Sequence, residues 1–351
     1  MKIVKFFFLA CFALIFASCG SGNQKPSSLF AIALADKKST FTQNDLVGIS
    51  IENKKEKTIE DVRYTLDGET LPVNDGKIRL AIQKLGNKTV TAHITYDGTT
   101  VSVNKDIKVL SPKAPEIYTY TIVNEYPHDA TSYTQGLEFH QDTLYEGTGK
   151  NGRSVLRKYD YKTGKVYQEI KLDDTYFGEG ITILNEKIYQ LTWRSGVGFV
   201  YDLRNMTKLN NFQYGKSKEG WGLTNNDEKL FKSDGTEKIW ILDPNTLIEE
   251  DYIETVTNKS IFNQANELEY VEGKIYANVY QKPSAMIIDA TSGAIEGVIN
   301  FGGLSDKVTK TPNWVATDNV LNGIAYHPGR KTFFVTGKEW DKLFEVTIQK
   351  K

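Results

Sequence analysis

The sequence predicts an all-β protein, in which a five-bladed β-propeller follows a small β-sandwich of immunoglobulin-like type. The chain of 351 residues contains 19 Tyr, 17 Phe and 28 Gly but only 9 Pro, a mixture typical of many strands joined by tight turns. A short sequence motif, called the phrase below, also occurs five times in the last two thirds of the chain. Its copies are residues 135–139, 179–183, 221–225, 266–270 and 322–326, at steps of 44, 42, 45 and 56 residues. Repeats at this spacing are typical of propellers.

Charge and cysteine usage exclude several classes of function. The 43 Lys and Arg residues balance 44 Asp and Glu residues, giving a net charge of -1, which argues against nucleic-acid binding because phosphate recognition needs a concentrated basic surface. Cys11 and Cys19 both lie in the first twenty residues. The folded body therefore has no disulfide, thiol nucleophile or cysteine-ligated metal. The four histidines lack zinc-ligand spacing, so we expect no catalytic zinc.

Residues 1–18 are predicted to be a signal peptide. A basic start, Met1–Lys5, precedes an apolar run over 6–17 that is too short to span a bilayer. The segment before Cys19 resembles the processing site of bacterial lipoproteins, which predicts a lipid on Cys19; simple secretion is the alternative. Residues 19–27 would then form a flexible tether. We expect an exported, membrane-anchored lipoprotein that faces the periplasm or lies on the cell surface.

Residues 28–110 are predicted to form the immunoglobulin-like β-sandwich. Short alternating segments are separated by the Asp-Gly pairs at Asp67, Asp75 and Asp97, and this pair is a strong turn signal between strands. No residue here suggests chemistry, so we interpret the region as a spacer or docking module. Residues 111–116, which contain two prolines, are the predicted linker.

Residues 117–351 are predicted to form the propeller. Each repeat carries the phrase and further strand-like segments within roughly 45 residues, which is the size of a four-stranded blade. The last repeat lacks an outer strand, and residues 118–123 could supply it from the start of the domain, which would close the ring. The first position of the phrase is occupied in turn by Gln135, Glu179, Trp221, Asn266 and Asn322.

These first positions predict the location of a site. Equivalent positions of successive blades point the same way, so four polar side chains and one indole should converge on one mouth of the central channel. The residue two positions later is always Leu or Ile and belongs to the blade core. Because packing alone does not require such a polar column, we place the functional site there.

The propeller region, from about residue 118 to 346, carries many ordered motifs: Tyr126-Pro127-His128-Asp129, Tyr133-Thr134-Gln135-Gly136-Leu137, Phe177-Gly178-Glu179-Gly180-Ile181-Thr182, Gln190-Leu191-Thr192-Trp193, Glu219-Gly220-Trp221-Gly222-Leu223-Thr224, Ser233-Asp234-Gly235-Thr236, Asn266-Glu267-Leu268-Glu269-Tyr270, Tyr276-Ala277-Asn278-Val279, Leu321-Asn322-Gly323-Ile324-Ala325-Tyr326 and Val335-Thr336-Gly337-Lys338-Glu339-Trp340. In these motifs the region resembles the plant-type glutaminyl-peptide cyclotransferases of plants and bacteria.

The resemblance implies an enzyme that closes the N-terminal glutamine of peptides and proteins into pyroglutamate and releases ammonia. It implies that Glu179 carries the proton from the attacking amine to the leaving ammonia. Asn266 and Gln135 would orient the amide and stabilise the oxyanion. No cofactor would be required, although a structural calcium ion could occupy the channel. We expect a monomer.

The resemblance also implies the walls of the substrate site. Trp193 and Trp221 would enclose the glutamine, and Lys338 would hold a carbonyl group or tune Glu179. Asn322 completes the predicted substrate-binding set. The family usually has tryptophan where this chain has Tyr280, which would keep an aromatic wall but shorten it.

Other interpretations stay open from the residues alone. Glu179 could be a surface carboxylate, the two tryptophans could be blade packing, Asn322 could be a turn residue, and Lys338 could be a solvated charge. A calcium-dependent hydrolase of lactones or esters is a second possible class, with Glu179, Asn266 and Asn322 as oxygen ligands. A propeller that only binds a partner is a third.

Overall fold

The computed structural model describes residues 25–351, which form an all-β protein. The predicted signal peptide and lipidation site lie outside the described residues. Helical structure within 25–351 is limited to α1 at Pro26–Leu29 and to 3-10 turns at Ala35–Lys37 and Leu304–Lys307. Across the same residues, none of the helices is long and apolar enough to cross a bilayer.

The first eight strands form two sheets that share one apolar core. Their bounds are β1 Phe30–Leu34, β2 Thr40–Thr42, β3 Leu46–Asn53, β4 Ile59–Leu66, β5 Glu69–Thr70, β6 Lys77–Arg79, β7 Gly86–Tyr96 and β8 Thr99–Leu110. One sheet has the order β1-β3-β6 and the other β2-β8-β7-β4-β5. Alternate residues of the long strand β7, including Val90, Ala92 and Ile94, are buried, as expected for strands that turn one face toward a core.

The next twenty strands follow a repeated four-strand order. Their bounds are β9 Glu116–Pro127, β10 Thr134–His140, β11 Thr143–Thr148, β12 Val155–Tyr159, β13 Val166–Lys171, β14 Gly178–Leu184, β15 Lys187–Thr192, β16 Val197–Asp202, β17 Lys208–Gln213, β18 Leu223–Asn225, β19 Leu230–Ser233, β20 Lys238–Leu242, β21 Glu249–Glu254, β22 Ala265–Val271, β23 Lys274–Val279, β24 Ser284–Asp289, β25 Ile295–Asn300, β26 Leu321–His327, β27 Thr332–Gly337 and β28 Lys342–Lys350.

These strands form three antiparallel four-stranded sheets and one eight-stranded sheet. The three sheets are β10-β11-β12-β13, β14-β15-β16-β17 and β18-β19-β20-β21, and the larger sheet has the order β22-β23-β24-β25-β9-β28-β27-β26. In the larger sheet β9 pairs antiparallel with β28 and parallel with the end of β25. The segment 118–123 therefore lies outside the last strand of the chain, as the sequence predicts, and β9 joins the end of the repeat region to its beginning.

The first strands of the four-strand groups surround a common axis. Strands β10, β14, β18, β22 and β26 contact one another in that cyclic order, and β26 contacts β10. The contact is so close that a Cβ on Gly180 would lie 2.6 Å from the backbone nitrogen of Leu223, and one on Gly222 would lie 2.0 Å from the Asn266 carbonyl oxygen. Only glycine permits this approach. The arrangement is propeller-like.

The N-terminal sheets pack directly against the repeat region. The side chain of Glu254 at the end of β21 accepts hydrogen bonds from the backbone and side-chain nitrogens of Asn87, at 2.8 and 2.9 Å. Leu85 donates its backbone N–H to the Ser292 carbonyl at 3.0 Å, and Val256 and Ala294 join the N-terminal apolar core. The N-terminal region is therefore fixed to the side of the repeat region.

Candidate active site

The predicted polar column lies where the inner strands begin. Gln135, Glu179, Asn266 and Asn322 are each the second residue of an inner strand, and Trp221 lies two residues before β18. The inner strands run in the same sense, so these side chains gather at one end of the axis. All of them except Asn322 line a cavity of about 480 Å³.

Seven of the predicted site residues line this cavity, whereas Asn322 does not. The lining members are Gln135, Glu179, Trp193, Trp221, Asn266, Tyr280 and Lys338. Asn322 is completely buried and lies beneath the cavity wall. Its amide is turned toward the neighbouring amide side chains rather than into the cavity, and its role in substrate binding stays a prediction.

A chain of three amide side chains leads to Glu179. Asn266 Nδ2 donates to Asn322 Oδ1 at 2.9 Å, and Asn322 Nδ2 donates to Gln135 Oε1 at 2.8 Å and to the Thr134 carbonyl at 2.9 Å. Gln135 Nε2 then donates to Glu179 Oε1 at 2.8 Å. All four side chains are buried. The chain fixes the orientation of the Glu179 carboxyl group from one side.

The Glu179 carboxyl group has one free oxygen. Glu179 is 3% exposed, and its Oε2 has no hydrogen-bonding partner among residues 25–351. Burial raises the pKa of Glu179 well above its ordinary value, and this effect outweighs the attraction of the Lys338 charge and the hydrogen bond from Gln135. A carboxyl group that is buried and only half satisfied is suited to take up and release a proton.

Lys338 faces Glu179 across the cavity as a buried cation. It directly follows β27 and is 3% exposed, and its ammonium group lies 4.6 Å from the centre of the Tyr133 ring and 5.4 Å from that of Tyr280. Burial lowers the pKa of Lys338 to about 8, while the Glu179 carboxylate opposes this shift. The two aromatic faces and the carboxylate stabilise the charged form.

Glu219 fixes both tryptophans of the cavity wall. Its Oε2 accepts the indole N–H of Trp193 at 2.7 Å and that of Trp221 at 2.9 Å. Trp221 also packs edge-to-face on Tyr280, with ring centres 5.2 Å apart. The indoles are therefore held with their apolar surfaces available to a ligand. Glu219 was not predicted as a site residue, although it stands two residues before Trp221 in the motif Glu219-Gly220-Trp221.

Two ion pairs lie at the rim of the cavity. Lys150 contacts Asp318 at 2.9 Å, and Arg194 contacts Glu219 at 2.9 Å. The Tyr133 hydroxyl also donates to Asp318. These rim residues were not predicted, because they lie on connecting segments where a charged side chain ordinarily has no special meaning.

Three carboxyl groups occupy the channel below the amide chain; the side chains of Glu267 and Glu269 are buried and that of Glu138 is half-buried. Glu267 accepts the backbone N–H groups of Ile324 at 2.8 Å and Leu137 at 3.2 Å. Glu138 and Glu269 accept backbone N–H groups at 3.0 and 2.8 Å. Burial raises the pKa of all three side chains, to about 8 for Glu138. They supply acceptors for strand edges that face the channel.

The channel carboxyl groups were also missed from the sequence. Glu267 stands where the four other copies of the phrase have glycine at the second position, namely Gly136, Gly180, Gly222 and Gly323. That exception was the available signal, because a long acidic side chain at a position of close backbone contact must extend into the channel.

The side chains that the hydrolase alternative names as calcium ligands do not direct their oxygens to a common point. Asn322 directs its side-chain oxygen to Asn266 Nδ2 rather than into the cavity, so Glu179, Asn266 and Asn322 do not present three oxygens to one point. Throughout residues 25–351, no three His, Cys, Asp or Glu side chains are grouped so that they could hold a metal ion.

Comparisons with known proteins show which proteins this chain is similar to. Residues 89–348 match the family model described as glutamine cyclotransferase. The chain is 40% identical over 230 residues to a glutaminyl-peptide cyclotransferase of Arabidopsis thaliana, covering 65% of this chain and 71% of the relative. The crystal structure of Myxococcus xanthus glutaminyl cyclase is similar with a TM-score of 0.62 and 32% identity, over 68% of this chain and 99% of the other.

Replacing Asn322 by alanine should destabilise the protein although Asn322 does not line the cavity. The variant leaves Gln135 Oε1 and Asn266 Nδ2 without their buried partner, so we expect the free energy of unfolding to fall by about 1–3 kcal/mol. Urea unfolding followed by tryptophan fluorescence measures the change. Asn104→Ala is the matched control, since Asn104 is exposed on β8 and should change stability by less than about 0.5 kcal/mol. Equal stability of the wild type and Asn322→Ala would contradict the amide chain.

Proposed function

The chain belongs to the glutamine cyclotransferase family and is an enzyme of this type, and we propose that Glu179 is the proton carrier that converts N-terminal glutamine into pyroglutamate. The observation that carries the proposal is the state of the Glu179 carboxyl group. It is buried, its pKa is raised, one oxygen is held by Gln135 and the other is free.

The reaction closes a five-membered ring within one residue of the substrate. The neutral α-amine nitrogen attacks the carbon of the γ-carboxamide, and a new C–N bond forms while the carbonyl electrons move to oxygen. Glu179 Oε2 takes a proton from the attacking nitrogen and passes it to the amide nitrogen. The carbonyl re-forms, the old C–N bond breaks, and ammonia leaves. A positioned acid/base group of this kind typically contributes on the order of 10² to 10⁴ in rate.

The amide side chains and Lys338 support this transfer in different ways. Both polar atoms of Gln135 already take part in the amide chain, so we assign Gln135 to the orientation of Glu179 rather than to the oxyanion. Asn266 has a second N–H on its side-chain nitrogen, and Lys338 brings a positive charge to the same cavity. These two groups would stabilise the negative charge that develops on the substrate oxygen.

The aromatic wall holds the substrate in the reactive shape. Trp193, Trp221 and Tyr280 line the cavity together with Phe177, and they would pack on the methylene groups of the glutamine and exclude water. Tyr280 packs edge-to-face against Trp221, so the smaller ring still closes this side. Because nucleophile and electrophile belong to one residue, confinement of its torsion angles is a large part of the catalytic task.

We further propose that the repeat region, 117–351, is a five-bladed propeller and that residues 28–110 are an immunoglobulin-like sandwich, joined by 111–116. The cyclic contacts of five inner strands support the first assignment. The two sheets around one core support the second.

The expectations about the N-terminus and the cell remain proposals. We propose an exported lipoprotein in which residues 1–18 are the signal peptide, Cys19 carries the lipid and residues 19–27 are the tether. The protein would be anchored in a membrane and face the periplasm or lie on the cell surface. The motif at Ala17-Ser18-Cys19 supports this proposal. We also propose that the enzyme acts as a monomer on Gln-initiated peptides and requires no cofactor.

Replacing Glu179 by glutamine should abolish cyclisation without unfolding the protein. The amide is nearly the same shape but cannot accept the proton, so kcat for ammonia release from a Gln-initiated dipeptide should fall by roughly 10² to 10⁴-fold. Ammonia release measures the rate, and circular dichroism checks the fold. A wild-type rate in Glu179→Gln would remove the assignment of Glu179.

A chelator provides the control for the hydrolase alternative. We expect the wild type to release ammonia at the same rate with and without a calcium chelator, since the proposed mechanism uses only side chains. Loss of activity with the chelator, restored by added calcium, would favour a reaction that depends on the ion.

The pH profile should report the charge of Lys338. Its ammonium form exists below the folded-state pKa of about 8, so kcat should fall as the pH rises through this value. Glu179 must be ionised to accept a proton and the substrate amine must be neutral, so both groups produce the acidic side of the profile.

Two variants test the assignment of the alkaline side. Lys338→Arg, which stays charged, and Lys338→Met, which cannot titrate, should both lack the alkaline fall. An unchanged alkaline fall in both variants would contradict this role.

A further inference from the structure

A second cavity adjoins the substrate site. It has a volume of about 690 Å³ and shares Arg194, Glu219 and Trp221 with the site. Its remaining lining comes from the segment that carries Lys216 and Lys218 and from residues 234–238 with Trp240. We refer to this second cavity as the side groove. It meets the substrate site at the three shared residues.

The charge of the side groove is more positive than that of the whole chain. Lys216 and Lys218 are exposed, and neither they nor Lys238 forms an ion pair with any residue in 25–351. The ammonium group of Lys238 lies over aromatic rings, 4.2 Å from the centre of Tyr252. Three ammonium groups therefore lack an acidic partner, in a protein whose net charge is -1.

Three acidic side chains line the groove together with four cations, Arg194, Lys216, Lys218 and Lys238, so the lining has one positive charge in excess. Glu219 is paired with Arg194 and accepts the two indole N–H groups. Asp234 is buried and accepts hydrogen bonds from Trp240 Nε1 at 2.8 Å and from the Thr236 backbone N–H at 3.1 Å. Only Glu237 lines the groove as a carboxylate without such partners. The groove is thus complementary to an anionic ligand.

A peptide bound by its N-terminal glutamine must leave the site across the rim. An extended chain advances about 3.3–3.6 Å per residue, so three or four residues reach roughly 10–14 Å beyond the cavity. The shared residues make the side groove a continuous path for this segment.

We propose that the side groove binds the residues that directly follow the N-terminal glutamine and favours peptides with acidic side chains there. This inference rests on the proposed function and adds the class of substrate, namely Gln-initiated peptides or proteins whose next few residues are acidic. Lys216, Lys218 and Lys238 provide the electrostatic attraction. The residue adjacent to the glutamine passes Arg194 and Trp221.

Peptide pairs test the preference. We would compare kcat/KM for ammonia release from Gln-Ala-Asp-Asp-Ala and Gln-Ala-Lys-Lys-Ala, and we expect the wild type to prefer the acidic peptide by roughly tenfold at low ionic strength. The ratio should shrink as salt is added. The double variant Lys216→Glu/Lys218→Glu should lose or reverse the ratio. The ratio is internal to each variant, so a general change in catalytic rate cancels.

The control variant carries the same change in charge at another place. Lys162 and Lys165 are exposed in the connection between β12 and β13, and Lys162→Glu/Lys165→Glu should keep the wild-type ratio. No preference in the wild type, or an unchanged ratio in Lys216→Glu/Lys218→Glu, would overturn the groove inference. If the wild type released no ammonia even from glutamine amide, the proposed function itself would fail. Cyclisation of glutamine amide without an acidic preference would reject the groove alone.

Discussion

The close convergence of the inner strands is the constraint on which the rest of the structure depends. Backbones approach so tightly that a side chain at Gly222 has no room. The channel-facing N–H groups lie at strand edges, where an unpaired donor would be costly. Buried carboxyl groups meet this need, as when Glu267 bridges two strands. Once the strands are fixed this closely, their first side chains can converge only at the end of the axis, and this end becomes the site.

Glu179 differs from the channel carboxyl groups in what it leaves unsatisfied. The channel groups accept backbone N–H donors, whereas Glu179 accepts one hydrogen bond from Gln135 and keeps a buried oxygen without a partner. A buried polar atom without a partner costs free energy of the order of 1–3 kcal/mol. The fold can tolerate this cost because the amide chain and the surrounding strands hold the position rigidly. Stability is given up at the place where the proposed mechanism moves a proton.

The sequence predicted which side chains line the cavity better than it predicted where each side chain points. A repeated phrase fixes which positions share an environment, so Gln135, Glu179 and Asn266 could be placed together without coordinates. The same logic put Asn322 in the cavity, but the rotation of one side chain follows from its hydrogen-bonding partners and not from periodicity. Glu219 was missed because its importance depends on two indole N–H groups that reach it from different segments. Glu267 was missed because its partners lie across the channel, far away in sequence.

The protonation state of Glu179 gives the most direct test of the account. Infrared spectra of protein with isotopically labelled glutamate, recorded across a pH series for the wild type and for Glu179→Gln, isolate the carboxylic-acid band of this residue by difference. We expect Glu179 to keep its proton well above the ordinary glutamate range, because burial outweighs its contacts with Lys338 and Gln135. A band that disappears near the ordinary glutamate pKa of about 4.3 would show that the carboxyl group is solvated, and would contradict the account.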